Sequence, residues 1–193
     1  MISDLDNTLE TLLKTEVKGM SGIAYSFGPP DNEFQKGVGP NVNLFLYDIR
    51  ENRELRDNEV IAERTYSNGR MMASQRQAPV RVDCSYLITV WVSDATQERN
   101  LLSQVMRVLL RFPVLPVNVL QGELKNQELP LPTSALQPGH LQSMGEFWQA
   151  LGGKLKTALH YTVTIGVDLN DDEAGAQVVT EKVLHFTVGN GGA

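Results

Sequence analysis

The chain has 193 residues, 41% apolar and 21% charged, which suffices for one globular domain, and its net charge of −6 argues against a nucleic-acid partner. A single cysteine, Cys84, excludes an intrachain disulfide framework and fits a reducing compartment. Asp4, Asp6 and Glu10 interrupt any signal-peptide core, and no apolar run approaches the roughly 18–20 residues of a membrane span, so a soluble intracellular chain is expected.

Residues 1–18 read as an amphipathic helix, because Ile2, Leu5, Leu9, Leu12, Leu13 and Val17 recur at three- and four-residue steps. Ser3 is its expected cap with Asp6 three positions on, Glu10 and Lys14 form an i,i+4 pair, and Gly19 is the expected stop. Residues 23–27 suggest a short strand closed by Gly28-Pro29-Pro30. Gly37-Val38-Gly39 lacks the Lys-Ser/Thr and the following helix of a phosphate loop, and reads as a turn. Residues 39–49 start at a Gly-Pro break and run apolar on both faces, the pattern of a strand covered on both sides. Residues 50–58 are densely charged and are expected to leave the core.

Residues 60–66 and 70–77 flank Ser67-Asn68-Gly69, and Asn-Gly between two extended runs signals a hairpin, because both residues tolerate positive φ. Its polar arms carry Arg64, Arg70 and Arg76, and it is expected to project, either as a solvated hairpin or as a contact arm. Residues 80–92 alternate cleanly: Val80, Val82, Cys84, Tyr86, Ile88, Val90 and Val92 form an apolar face opposite Arg81, Asp83, Ser85 and Thr89. Cys84 is therefore expected to be buried and structural, not a reactive thiol. Ser93 and Asp94 can cap a helix over 95–112, whose stripe is Leu101, Leu102, Val105, Met106, Leu109 and Phe112, and Pro113 ends it.

Pro116, Pro130, Pro132 and Pro138 make 115–131 an irregular connector, with Val117, Val119, Leu120 and Leu124 as apolar anchors. Residues 141–151 return to helical spacing through Met144, Phe147, Trp148 and Leu151, closed by Gly152-Gly153. Residues 155–168 alternate as a strand, 170–173 make a turn, and 178–188 return as a second strand; 189–193 read as a flexible tail. The acidic run from Asp168 has Glu173 where a calcium loop needs Gly and Val179 where it needs a bidentate acid, so an acidic turn is expected. His160 and His185 fall short of a zinc ligand set. No Ser/His/Asp order, HExxH or CxxC is present, and no enzyme is legible.

Two stretches carry a resemblance: Ser3-Asp4-Leu5-Asp6-Asn7-Thr8-Leu9-Glu10-Thr11-Leu12-Leu13, and Pro40-Asn41-Val42-Asn43-Leu44-Phe45-Leu46-Tyr47-Asp48-Ile49-Arg50-Glu51-Asn52 followed by Leu55-Arg56. With the strand over 82–92, the helix over 101–112, and Phe147-Trp148-Gln149-Ala150-Leu151-Gly152 running into Leu159-His160-Tyr161-Thr162-Val163-Thr164, nearly the whole chain is covered. It resembles the cap, or tail-terminator, family of extracellular contractile injection systems, phage-tail-like particles of the antifeeding-prophage type, a family also described as a domain of unknown function.

The resemblance implies an α+β domain over 1–188, a mixed or antiparallel sheet covered by amphipathic helices with a projecting hairpin. It implies a structural cap and no enzyme, with no cofactor or metal. The implied partners are other copies in a homohexameric ring, the sheath protein and the inner tube protein, with neither nucleic acid nor membrane. Assembly would be cytoplasmic, as part of a particle that is released or acts inside the cell. A ring of repeated heterologous contacts needs exposed arms. Arg50, Glu51, Arg53, Arg56, Arg64, Asn68, Arg70 and Arg76 are the candidate assembly residues. The alternative is a small-molecule-binding or hydrolytic α+β domain using Cys84 or the His160 and His185 pair.

Overall fold

The computed structural model describes residues 1–18, 22–30, 39–56, 60–67, 70–127, 129–137, 143–152, 154–169 and 176–177. The chain divides into two units, Met1–Arg56 with Val80–Val167, and Asp57–Pro79 with Asp168–Ala193. The chain runs through helix α1 (Ile2–Glu16), strands β1 (Ala24–Ser26), β2 (Asn41–Glu51), β3 (Val60–Ser67), β4 (Arg70–Gln77) and β5 (Val80–Trp91), and helix α2 (Ala95–Arg111). After it come strand β6 (Thr133–Ala135), helix α3 (Met144–Ala150), and strands β7 (Ala158–Val167) and β8 (Ala176–Gln177). The fold is α+β, and the sheet of the first unit is mixed: its order is β1-β2-β5-β7-β6, with β1 parallel to β2 and the other pairs antiparallel.

The middle strand of that sheet is β5, flanked by β2 and β7 along most of its length. One set of its alternating side chains, Cys84, Tyr86, Ile88 and Val90, packs with Val42 and Leu44 of β2 and Tyr161, Val163 and Ile165 of β7. Helices α1 and α2 cover this face with Leu5, Leu9, Leu12, Leu13, Leu101, Val105 and Leu109, all buried. Burying each such aliphatic side chain stabilises the fold by about 1.5–3 kcal/mol before ordering costs are counted. A hydrogen bond from the Tyr86 hydroxyl to Asp6 Oδ1 (2.8 Å) fixes α1 across the sheet. Its cost is a carboxylate partly withdrawn from water: desolvation raises the Asp6 pKa, and the bond from Tyr86 opposes this only partly.

The second face is also closed, which the alternation of β5 alone does not announce. Arg81, Ser85, Leu87 and Thr89 are all buried. Helix α3 lies on this side, with Phe147 against Phe45 (centroids 6.3 Å apart) and Tyr47 (6.4 Å), and Trp148 is buried. Part of the polar set is paired locally: Ser85 pairs with Thr162 (3.2 Å), Asn43 Nδ2 donates to the Gly28 carbonyl (3.0 Å) and Arg81 Nη2 donates to the Pro130 carbonyl (3.0 Å), whereas Arg81 Nη1 and Trp148 Nε1 are buried without a partner among the described residues. Beyond β6, the side-chain amide of Gln127 takes the place of a strand, accepting from Gly166 N (2.9 Å) and donating to Gly166 O (2.6 Å).

Several expectations shift. Ser3 lies inside α1, not at its cap; the helix begins one residue after Met1, without a side-chain cap, and ends at Glu16. By contrast Asp94 caps α2 as expected, its Oδ1 accepting from Gln97 N (2.8 Å), and Gly152 ends the α3 turn at φ +68°. In the connector Val119, Leu120 and Leu124 are buried through two 3₁₀ turns, Val117–Val119 and Gly122–Asn126, but Val117 is 80% exposed. Strand β2 is covered on both faces only at Val42, Asn43 and Leu44; by Ile49 it is half exposed.

In the second unit β3 and β4 pair antiparallel from Val60↔Gln77 to Ser67↔Arg70, the register that a two-residue Asn-Gly turn requires. Asn68 and Gly69 themselves lie outside the described residues, as do 170–173, the expected strand over 178–188 with His185, and the tail 189–193. Strand β8 pairs with β4 at Met72↔Gln177 and Ala73↔Ala176. Among the described residues no helix is long and apolar enough to cross a membrane.

Candidate assembly interface

The charged segment after the buried part of β2 is built by a bulge. Leu46 pairs with Tyr86, but the next registered pair is Asp48↔Ser85, so Tyr47 is the extra residue. Without it, Asp48 and Arg50 would fall on the face covered by α1 and α2. With it, Arg50 stands opposite Asp83, and Ile49 and Glu51 take the other face opposite Cys84 and Val82. Tyr47 itself turns to the α3 side, where its hydroxyl lies 3.3 Å from His160 Nδ1.

The strand ends at Glu51, and the amide of the next residue, Asn52, donates to the Arg81 carbonyl (2.8 Å). Its side chain then works in both directions. Oδ1 accepts from Leu55 N (3.0 Å), an Asx-type closure of the turn, and Nδ2 donates to both carboxylate oxygens of Asp83 (3.1 and 3.0 Å). Thr164 on β7 donates its hydroxyl to Asp83 Oδ1 (2.6 Å), so three segments meet on one carboxylate.

Of the eight expected assembly residues, Arg50, Glu51, Arg53 and Arg56 come together here. Arg50 Nε lies 2.6 Å from Asp48 Oδ2, and Arg56 Nη1 lies 3.1 Å from Glu51 Oε1. Both arginines are more than half exposed, so each pair contributes at most about 1 kcal/mol. Arg53 is exposed and has no ion-pair partner among the described residues. Ile49 and Leu55 expose 48% and 47% of their surface, which puts apolar area beside the charges. Arg64, Arg70 and Arg76 are placed on the hairpin of the second unit, in register with Ala73, Ser67 and Ile61. Asn52, Asp83 and Thr164 escaped the sequence reading; the available signal was an Asx-type residue directly after a strand.

The groups that a catalytic reading would use are arranged differently. Cys84 is fully buried, and desolvation, with Asp83 and Asp6 nearby, pushes its thiol up to about 11, so it is protonated at neutral pH. Burial lowers the His160 pKa. No group of three or more metal-ligating side chains occurs among the described residues.

The model of a family described as the Pvc16 N-terminal domain matches residues 4–181. Among solved structures, the sheath/tube terminator of PVC, an extracellular contractile injection system, in its extended state, is 28% identical with a TM-score of 0.71, covering 100% of this chain and 65% of that one. The tube-terminating cap of the anti-feeding prophage is 28% identical with a TM-score of 0.67, covering 97% of this chain and 62% of that one. The chain thus spans just under two thirds of the length of these two structures. No curated protein matches it.

Proposed function

The chain belongs to the Pvc16 N-terminal domain family, and from that membership we propose that it is a structural cap that ends the sheath and inner tube of a contractile injection system. The observation that carries this reading is the overlay of 100% of the chain on a sheath/tube terminator at a TM-score of 0.71. In this reading residues 1–188 act as one tail-terminator module, copies form a homohexameric ring, and the ring binds the last layer of sheath and tube protein without catalysis. Assembly takes place in the cytoplasm. The turn with Arg50, Glu51, Arg53 and Arg56 and the hairpin with Arg64, Asn68, Arg70 and Arg76 make the contacts. A heterologous ring needs such exposed elements, and Arg53, without an ion-pair partner among the described residues, together with half-exposed Ile49 and Leu55 is the mixture of charge and apolar area found at protein contacts.

The test is removal of the gene from a cell that makes the particles, with particle lengths measured by electron microscopy and the stoichiometry of the purified protein measured by mass photometry. Tubes and sheaths of uncontrolled length, together with a six-copy ring, are expected. Particles of normal length without the protein would refute the capping role. The alternative of a hydrolytic or small-molecule domain gains nothing from the buried, protonated Cys84 or from His160 against Tyr47.

A further inference from the structure

We propose that Asn52 is the positioning residue of this contact turn: through Asp83 it holds residues 52–56 in one conformation that presents Arg53 and Leu55 to a protein partner. The proposal rests on the assembly reading above, and it gives the partner a chemistry, a carboxylate for Arg53 and an apolar pocket for Leu55.

Asn52 ties the turn to the fold through its backbone amide and its side chain. Its backbone amide extends the β2–β5 ladder by one bond to Arg81, its side-chain Oδ1 accepts from Leu55 N and closes the turn, and its side-chain Nδ2 donates to both oxygens of Asp83. The neighbours look outward instead: Arg53, Glu54, Leu55 and Arg56 are exposed. Asp83 is in turn held by Thr164, on the strand β7 that pairs with the opposite edge of β5. A surface turn anchored by a carboxylate on the central strand does not have to be ordered when the partner arrives. A turn without that anchor does, and the ordering cost weakens binding. The donor and acceptor roles fit only one way: Asp83 accepts from two partners, and Asn52 supplies both a donor and an acceptor.

The chemistry allows a reciprocal exchange. Asn52→Asp alone sets two carboxylates against each other and should open the turn. Asn52→Asp combined with Asp83→Asn restores an acceptor for Leu55 N and a donor between the two side chains. The experiment measures amide exchange at Leu55, tryptophan-fluorescence unfolding, and binding of the purified protein to sheath–tube particles made without it. Asn52→Ala is expected to speed Leu55 exchange and weaken particle binding, each by about tenfold, while the sheet stays folded. The exchanged double variant is expected to recover both.

Unchanged Leu55 exchange in Asn52→Ala, or a double variant no better than Asn52→Asp alone, would overturn the proposal. Leu55→Asp separates the two levels. If it binds particles normally, the turn is not a contact and the assembly reading of this surface fails, while the exchange data still decide whether Asn52 orders the turn.

Discussion

In the proposed reading strand β2 packs the core while the turn that follows it meets a partner, and a pair of substitutions separates the two. Leu44 is fully buried, stands opposite Ile88, and belongs to the cluster covered by α1 and α2. Leu44→Ala removes three carbons from a site whose neighbours are held by two helices and a central strand, so the cavity collapses only partly. The expected loss is about 3 kcal/mol, within the 2–5 kcal/mol typical of such truncations. In a chain of this size that lowers the midpoint by roughly 6–12 °C. Arg53, nine residues on, is exposed and has no ion-pair partner among the described residues, so Arg53→Glu should change stability by less than about 0.5 kcal/mol. The same reversal should still weaken capping, because it places a negative charge where a carboxylate is to dock.

Both tryptophans, Trp91 and Trp148, lie in the unit that contains β2, so urea titration followed by tryptophan fluorescence reports the relevant transition, and particle length reports capping. If Leu44→Ala costs under about 0.5 kcal/mol, the site is not a packed core. If Arg53→Glu destabilises as much as Leu44→Ala, the proposed division between a folding strand and a contact turn is wrong.

Other perturbations have signs fixed by the same geometry. Burial raises the Asp6 pKa above 3.8, so its contribution to stability is fully present below that value and is lost as pH rises through the folded pKa; Asp6→Asn keeps an acceptor for Tyr86 and should unfold at an equal or higher denaturant concentration at pH 7. Burial lowers the His160 pKa below 6.5, so stability is complete above 6.5 and falls as pH drops toward the folded pKa; His160→Gln should flatten that decline in denaturant titrations between pH 7 and pH 5. Gly122 has φ +52°, and a Cβ there would collide with the Asp4 carboxylate, which accepts from Glu123 N, so Gly122→Ala should cost about 1–3 kcal/mol in urea unfolding. Cys84 should react with a thiol reagent only after unfolding, and rapid native labelling would contradict its burial.

The elements legible in the sequence were those whose pattern is set by one buried face. The stripes of α1 and α2, the even-numbered face of β5 and the Asn-Gly hairpin register all follow from local periodicity and turn chemistry, and the structure places them as that reasoning requires. Periodicity is silent on what a strand meets on its other face. Arg81, Ser85 and Thr89 stand opposite the apolar face and are polar, yet they are buried, and Arg81 and Ser85 bond to Pro130 and Thr162, which are distant in sequence. For the same reason the apolar run of residues 39–49 does not fix a place in the sheet: it indicates cover on both faces, and that leaves the number of neighbouring strands open. Strand β2 has β5 along one edge, while β1 pairs with it only at Asn41–Asn43.

The candidate contact site was legible as composition but not as geometry. The charge density of 50–58 singled out a stretch, yet the arginines there are not equivalent. Arg50 and Arg56 are occupied by Asp48 and Glu51, and among the described residues Arg53 is left without an ionic partner. That inequality traces back to one extra residue. The bulge at Tyr47 reverses the phase of β2, so that Asp48 and Arg50 emerge together on the face of Asp83, and Asn52 reaches that same carboxylate. A period-2 reading carried straight through from Val42 would put Arg50 on the face covered by α1 and α2, where its charge could not be accommodated. The polar character of 50–56 and the apolar character of 42–46 are compatible in one strand because the phase changes between them.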